Sequence, residues 1–482
     1  MENNKIKKDG RTDMTQGSPI RLILKFALPL LIGNIAQQTY NLADTIIVGN
    51  FAENSDDCIA AVGISMPIMF LMVAVFFGLG GGATIIISQF YGAGDTKSIQ
   101  RAVNTIYLFL FVLSVPLTII GLIISRPVLE LINAEGLILE YGVSYLSITF
   151  LGILPSFGFN MNSGILQGLG NSKISLLFLG IACGINIALD LLFIIVFGWG
   201  VAGVAFATVI AQSTAFLFGI WHINRRNYGF KISFNPKKLE FDFGLLKDVV
   251  RIGLPGGIQN AMFSVGFMFL HNLINMINST RPGFTTGFTS SQRIETFAFL
   301  PIMSFAVAVT TFVGQNIGAG KLDRVKNGVR AACLLGIGMS ILICAIVLPL
   351  SGNLISMFSR TPEVIEYGRA YLFRMMPFIF ILAVHFLLSS ALRGAGQAMI
   401  PLMGSFIGLW LARVPAAYII YYLSPETPEN IYFSFAIGWT AGLIPIAGYY
   451  LSGRWKKKAF RFLRNKESEE IQKIPEKIQE DK

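Results

Sequence analysis

Charged side chains are scarce in this sequence. Asp, Glu, Lys and Arg supply 13% of its 482 residues, about half of the roughly 25% found in soluble proteins. The glycine run at residues 78–82 lacks the Lys-Ser/Thr of a phosphate-binding loop, and we interpret it as a site of close helix packing. No nucleotide motif or nucleophile triad occurs in the sequence, so we expect neither an enzyme nor an ATP-driven pump, and no cofactor. The four cysteines, which lack metal-site spacing, are Cys58, Cys183, Cys333 and Cys344.

Apolar runs dominate the chain instead. Hydrophobic residues make up 53% of it and fall into segments near the ~20 residues that a transmembrane helix needs. This pattern predicts an all-α polytopic membrane protein with twelve transmembrane helices. The predicted spans are residues 22–47, 59–88, 102–124, 138–162, 174–196, 201–222, 248–276, 290–313, 328–350, 366–390, 399–423 and 431–452.

The positive charge is clustered between these spans. The net charge is +11, and with a cytoplasmic N-terminus 31 of the 38 Lys and Arg residues fall in the inside loops and tails. Six fall in the outside loops or at adjoining span ends. Because Lys and Arg accumulate on the cytoplasmic side, this imbalance predicts an even number of spans, with both termini on the cytoplasmic side of the cell membrane. It gives no reason to expect a nucleic-acid partner.

The sequence also repeats itself at an offset of 226 residues. The segment QFYGAGD at 89–95 recurs as QNIGAGK at 315–321, and Glu-Tyr-Gly at 140–142 recurs at 366–368. One shift that aligns separate segments predicts two pseudo-symmetric six-helix bundles, related by an axis along the membrane normal. The predicted domains are an N-terminal lobe at 1–222, a cytoplasmic linker at 223–247, a C-terminal lobe at 248–453 and a polar cytoplasmic tail at 454–482.

Two carboxylates lie inside predicted spans of the first half, Asp44 in span one and Asp190 in span five. A charged side chain near the bilayer centre costs at least about 2.5 kcal/mol, so such residues usually face a cavity and have a function. Thr208 in span six lies at a similar depth, and Asn186 is one helical turn before Asp190. We predict that these four residues form an oxygen-rich site that holds a small hard cation such as Na⁺ or shares protons between the acids. The alternative is that Asp44 snorkels to the interface and Asp190 caps local structure.

A few further residues of the first half are assigned to a substrate cavity or to its gating. Interhelical hydrogen bonding explains the polar ones equally well. A mid-helix proline removes one hydrogen bond, so Pro29, 15 residues before Asp44, predicts either a bending point or a static kink. The polar residues of this group are Gln37, Tyr40, Asn41 and Asn160.

The second half lacks the acid set. At the offset of 226, Leu270 and Ala416 stand in place of the two aspartates. Four other ionisable residues of these spans have no assigned role: the histidines are expected to be packing residues, the glutamate interfacial, and the arginine has no identified partner. They are His271, His385, Glu295 and Arg413.

An ordered set of motifs resembles the multidrug and toxic compound extrusion family. It consists of QTYNLADTIIVG in the first span, the paired QFYGAGD and QNIGAGK segments, and GILQGLGNS. The resemblance extends over roughly residues 15–455. It implies two six-helix bundles around a central cleft and the export of drugs against a gradient of Na⁺ or H⁺.

The resemblance is strongest to the prokaryotic branch of that family and implies roles for single residues. The branch's cation site matches Asp44, Asn186, Asp190 and Thr208, and its bending proline and first-span glutamine match Pro29 and Gln37. Some relatives carry a second acid set in spans seven and ten. This sequence departs from that pattern, because it has His271 and His385 in those spans and no deep carboxylate in either.

We therefore expect a secondary active antiporter that exports cationic or amphipathic compounds by alternating access. Its partners are expected to be small-molecule drugs and membrane lipids, its state monomeric, and its coupling ion Na⁺ or H⁺. Two alternatives remain open from the residues alone. One is a flippase for a lipid-linked precursor, which would need a strongly cationic cleft, and the other is a cation channel or receptor.

Overall fold

The computed structural model describes residues 12–226, 228–233 and 240–456, with residues 70–77 as backbone only. From residue 457 onward the predicted tail lies outside the described residues, as do residues 227 and 234–239 of the predicted linker. The described residues form helices and connecting turns, with no β-strand among them. The helices are α1 (Pro19–Phe51), α2 (Ser55–Gly92), α3 (Thr96–Leu131), α4 (Gly136–Leu151 followed by Ile153–Gly168), α5 (Ser172–Val196), α6 (Gly200–Arg225), α7 (Phe243–Thr280), α8 (Phe284–Gly318), α9 (Leu322–Ser356), α10 (Pro362–Gly394), α11 (Met399–Leu423) and α12 (Pro428–Leu451).

These helices confirm the twelve-span architecture. Within the described part of the chain, ten are long and apolar enough to cross a membrane, and the two segments of α4, bent by 53°, make an eleventh span. The 38-residue helix α2 completes the set. Most helices are longer than the predicted spans: α3 has 36 residues and extends well beyond residues 102–124. Hydropathy marks only the part of a helix inside the bilayer, whereas backbone hydrogen bonding continues to the caps.

Irregular turns interrupt some of the helices. The last turn of α5, Leu192–Val196, and the middle of α11, Ile407–Arg413, are π-helical. Helix α10 contains a 3₁₀ turn at Met376–Phe378, and α12 starts with another at Pro428–Tyr432. π turns inside α-helices are rare and are frequent near functional sites, so α5 and α11 are the helices to inspect for chemistry.

The repeated motifs form equivalent turns in the two halves. Gly94 and its counterpart Gly320 have φ angles of 71° and 73°, and Gly170 and Gly396 have φ angles of 84° and 74°. Only glycine adopts this left-handed region without steric cost, and it commonly ends helices there. After the first of these turns, Asp95 caps α3 by accepting a hydrogen bond from the backbone of Ser98 at 3.0 Å. The repeat therefore encodes helix ends.

The described residues fall into two compact units. One contains residues 12–13, 25–90 and 95–264, and the other contains residues 14–24, 91–94 and 265–456. The first unit therefore includes the beginning of α7, and the second includes the beginning of α1. The division into lobes at 222 and 248 stays a prediction.

In the first unit, α2 and α7 pack backbone to backbone. A Cβ added to Gly78 would lie 2.4 Å from the carbonyl oxygen of Gly253, and one added to Gly82 would lie 2.4 Å from that of Val249. Small residues spaced four apart let two helices approach this closely. The glycine run at 78–82 is thus a packing surface, as the sequence suggested.

In the second unit, the segment before α1 is held by the turn between α8 and α9. The backbone N–H of Met14 donates to Gln315 Oε1 at 3.0 Å, and Asn316 Nδ2 donates to the Met14 carbonyl at 3.0 Å. Lys321 Nζ donates to the Thr15 carbonyl at 2.9 Å. Met14 is fully buried. The polar residues of QNIGAGK therefore anchor the N-terminal segment as well as forming a turn.

We expect Gly82→Ala to destabilise the protein, because its methyl group overlaps the Val249 carbonyl and α2 must move away from α7. Overpacking of this kind costs about 1–3 kcal/mol. The matched control is Gly81→Ala, where an added Cβ meets no atom within 4 Å. Alanine there should be neutral or stabilising by up to about 1 kcal/mol. Thermal unfolding of purified protein compares the two, and equal melting temperatures would contradict the close crossing.

Candidate functional site

The predicted site residues lie at matching depths in three helices of the first unit. Asp44 is seven residues before the end of α1, Asp190 is six before the end of α5, and Thr208 is eight after the start of α6. At 1.5 Å per residue, these positions are about 9–12 Å from the helix ends. The depth agreement read from the sequence is therefore present in the fold.

The carboxyl groups of Asp44 and Asp190 face each other at hydrogen-bonding range, across α1 and α5. Asp190 is completely buried and Asp44 is half-buried. Within the described residues, neither oxygen of Asp190 has a hydrogen-bond donor, and Asp44 Oδ1 has none either. Because two carboxylates repel each other, they stay this close only with a proton or another cation between them.

Asn186 and Thr208 complete the predicted set. Asn186 Nδ2 donates to Thr208 Oγ1 at 3.3 Å, which links α5 to α6. With its N–H₂ group used in this way, the amide leaves Oδ1 as an acceptor, and that atom is buried without a donor in the described structure. Four buried oxygens from Asp44, Asn186 and Asp190 thus have lone pairs to offer.

Tyrosine and cysteine side chains surround the acids. Tyr40, one turn before Asp44 on α1, lies within electrostatic range of both aspartates, as predicted for a cavity residue near Asp44. Tyr145 of α4 has the same two neighbours, and Cys183 of α5 lies near Asp44. Sequence reasoning did not assign Tyr145 or Cys183 to the site. The available signal was helical spacing, because Cys183 is three residues before Asn186 and shares its face.

A cluster of buried apolar side chains lies next to the acids, toward the helix ends. Its members come one turn beyond the site residues: Ile47 and Val48 beyond Asp44 on α1, and Ile194 beyond Asp190 in the π turn of α5. The cluster is completed by Cys58, Val201 and Val204. The oxygens are therefore covered by apolar side chains on this side, which separates them from the nearer helix ends.

The other predicted cavity residues are more dispersed. Pro29 is buried inside α1, which continues as a helix through it, so a bend at this point stays a prediction. Gln37 and Asn41 are exposed on α1, and Asn41 Nδ2 donates to Gln38 Oε1 at 3.1 Å.

Asn160 lines an apolar cleft of about 550 Å³ in the first unit. The walls come from α2, α3, α4 and α7, and Asn160 is the one residue with a polar side chain among them. Its amide donates to the Ser156 carbonyl at 2.8 Å and leaves its oxygen on the cleft side of the balance between donors and acceptors. The other lining residues are Leu79, Gly80, Ile106, Phe109, Leu110, Leu113, Phe157, Met161, Leu246 and Val249.

The two second-half histidines pack against aromatic and glycine surfaces. His271 contacts Phe288 edge-on with ring centroids 5.3 Å apart. His385 is buried, and a Cβ added to Gly442 would lie 2.9 Å from its ring. Both positions agree with the packing role expected from the sequence.

Glu295 and Arg413 differ from the sequence interpretation. Tyr371 donates a hydrogen bond to Glu295, and Arg413 is buried within electrostatic range of both. Glu295 is therefore not a simple interfacial residue, and Arg413 has neighbours that the sequence did not identify.

The donor set at Asp44 and Asp190 is suited to a monovalent cation. Throughout the described residues, no group of three or more His, Cys, Asp or Glu side chains gathers in the way typical of a transition-metal site. The cluster instead offers two carboxylates, an amide oxygen and a hydroxyl, which are the hard oxygen ligands that Na⁺ prefers and a proton can also use.

Comparison with known proteins places this arrangement in a family. The MatE family model matches residues 29–192 and again residues 255–419, which is more than half of the chain. The chain belongs to the MatE family. The two matches begin 226 residues apart, so they confirm the internal repeat read from the sequence. The MatE family consists of transporters, a non-enzymatic class, and the chain is a multi-pass membrane protein.

Relatives of this MatE protein span nearly its whole length. It is 29% identical over 447 residues to the probable multidrug resistance protein YpnP of Bacillus subtilis, which covers 92% of this chain and 97% of that protein. It is 27% identical over 457 residues to the probable multidrug resistance protein NorM of Thermotoga maritima, covering 91% and 93%. These bacterial relatives agree with the predicted prokaryotic branch.

Solved structures share the MatE fold. A crystal structure of MATE in complex with MaL6 has a TM-score of 0.85 at 24% identity, covering 92% of this chain and 99% of that chain. An outward-facing multidrug resistance MATE transporter of the MOP superfamily gives a TM-score of 0.84 at 23% identity, with 92% and 98% coverage. The twelve-helix MATE-like fold predicted from the sequence is therefore confirmed.

We expect Thr208→Val to destabilise the site, because the Asn186 amide then loses its acceptor in a buried position. An unsatisfied buried donor costs about 1–3 kcal/mol. Thr208→Ser keeps the hydroxyl and serves as the control. Thermal unfolding at fixed pH and salt measures both variants; if valine proves as stable as threonine, the hydrogen bond between α5 and α6 has no energetic role.

Proposed function

We propose that this protein is a secondary active antiporter that exports small organic compounds in exchange for Na⁺ or H⁺. One observation carries the proposal: Asp44 and Asp190 face each other, and four buried oxygens around them lack a donor in the described structure. A membrane interior tolerates such a set only when a cation or proton is bound during part of a cycle.

The coupling ion acts as a second substrate in this scheme. When Asp44 and Asp190 take up a cation from outside, their mutual repulsion is removed and α1 can draw closer to α5. When the cation leaves toward the cytoplasm, the repulsion returns and pushes α1 away. The difference in the packing of α1 between these states gives the ion a way to favour one conformation. Pro29, inside α1, is the position where the helix is weakest.

The exported compounds are proposed to be amphipathic or cationic. The cleft around Asn160 is apolar, which suits the hydrophobic part of such a compound, and the acids of the same unit suit a positive charge. The names of YpnP and NorM describe probable multidrug resistance proteins, which agrees with broad small-molecule substrates. We further propose a monomer in the cell membrane, surrounded by lipids, with both termini cytoplasmic.

The alternatives weighed from the sequence have less support. A flippase for a lipid-linked precursor needs several basic residues in its cleft, whereas the lining around Asn160 contains none. A channel or receptor does not need two equivalent helical halves, whereas alternating access uses them directly. The matched turns at Gly94 and Gly320 therefore favour a carrier.

The decisive test is transport by protein reconstituted into vesicles, with the Na⁺ and proton gradients imposed separately. We expect saturable export of a cationic dye driven by one gradient. Asp190→Asn should reduce driven export to the rate of vesicles without protein, because the neutral amide removes the charge that the ion balances. Asp56→Asn is the matched control, since it changes an exposed acid at the start of α2. Full gradient-driven export by Asp190→Asn would disprove the coupling role.

A second comparison locates the coupling site in one half of the chain. We expect Asp44→Asn to abolish gradient-driven export, whereas His385→Ala should retain most of it, because that histidine packs in the core of the second half. Export per inserted molecule is the measurement, so that any loss of folded His385→Ala protein is accounted for. The reverse ranking would move the coupling site to the second half.

A further inference from the structure

The second unit buries a cation of its own. Arg413 of α11 is 6% exposed, and its guanidinium carbon lies 3.5 Å from the ring centroid of Phe435 and 5.0 Å from that of Phe267. Its Nε and Nη2 atoms have no hydrogen-bond partner within the described chain. Aromatic faces attract a cation but do not neutralise it, so a counter-charge is required nearby.

Glu295 of α8 supplies that counter-charge. Arg413 lies within electrostatic range of Glu295 and of Tyr371 of α10, and the Tyr371 hydroxyl donates a hydrogen bond to the Glu295 carboxylate. Tyr371 is fully buried. The second unit thus contains one carboxylate, one phenol and one guanidinium in a cluster that is neutral as a whole.

This cluster occupies the place that corresponds to the cation site of the first half. At the offset of 226, Tyr371 is the counterpart of Tyr145, which lies beside both aspartates. Ser434, buried with no partner for its hydroxyl in the described residues, is the counterpart of Thr208.

The remaining contacts of Arg413 extend the correspondence. Arg413 is the counterpart of Ile187, which directly follows Asn186, and Phe267 is that of Asn41. The helices therefore correspond in pairs: α7 with α1, α10 with α4, α11 with α5, and α12 with α6. Both α5 and α11 carry a π turn close to their site residue.

We infer that Arg413 is a tethered cation that permanently fills a second, latent cation site, formed by Glu295 and Tyr371 with the Ser434 hydroxyl nearby. The inference rests on the proposed cation-coupled export. A guanidinium bound through its own side chain cannot leave, so the second half keeps one charge state throughout the cycle. Only the first half then responds to the coupling ion, which explains why the helical scaffold is duplicated and the exchangeable site is not.

Removal of the guanidinium should open the latent site to free ions. Asp190→Asn serves as the background, so that the first-half site does not contribute. We expect D190N/R413Q to gain saturable binding of radiolabelled Na⁺ by equilibrium dialysis, with choline replacing Na⁺ to hold the ionic strength. Adding Glu295→Gln should abolish that binding. Arg293→Gln is the matched control, because Arg293 is an exposed arginine on α8 with its own aromatic contact, to Phe358.

Folded D190N/R413Q that binds no more Na⁺ than D190N would overturn the inference. Where R413Q does not fold, the neutral pair E295Q/R413Q decides. Recovery of the wild-type melting temperature by the pair supports the inference, because the defect was then the uncompensated carboxylate. A pair as unstable as R413Q overturns it, since Arg413 would then act by packing alone.

The same measurements separate this inference from the proposed function. Equal Na⁺ binding and equal export by the wild type and D190N would disprove the first-half coupling site. The gain of binding in D190N/R413Q does not depend on that result, so the tethered cation is judged independently.

Discussion

Asp44 and Asp190 turn their carboxyl groups toward each other inside the first half of the chain, where apolar side chains and helix backbones surround them. Neither acid has enough donors in the described residues to satisfy its oxygens. The stability of this part of the fold therefore depends on what charge lies between them. The arrangement of α1, α5 and α6 follows from this requirement, because each helix contributes its polar residue at the same depth.

The two halves of the protein meet the same electrostatic problem differently. The first half leaves its carboxylates to be balanced by an ion from outside the chain, as we propose, whereas the second half places Arg413 beside Glu295. Charge inside the second half is balanced within the chain itself, and a large aromatic core that includes Tyr371 and Phe435 packs around it. A duplicated scaffold can thus contain one responsive half and one constant half. Two carboxylates in each half would instead require two coupled ions.

Much of the fold and part of the site could be predicted from the sequence. Apolar segments of sufficient length gave the twelve helices, and the glycines at 94 and 320 marked turns because no other residue fits their backbone conformation without strain. Asp44, Asn186, Asp190 and Thr208 could be grouped because a helix converts residue spacing into depth. Tyr145 was not grouped with them, since depth alone does not say which way a side chain points. Glu295 was taken for an interfacial residue because its position near the start of α8 did not reveal Tyr371 and Arg413 opposite it.

The sequence by itself determined the membrane class, the number of helices, the internal repeat and the residues whose charge is costly in a bilayer. These properties depend on composition, length and spacing, which are local along the chain. Only the tertiary structure decided which charges face one another. Asp44 meets Asp190 across 146 residues of chain and Arg413 meets Glu295 across 118. Such pairings depend on the rotation and packing of whole helices, which no single segment specifies.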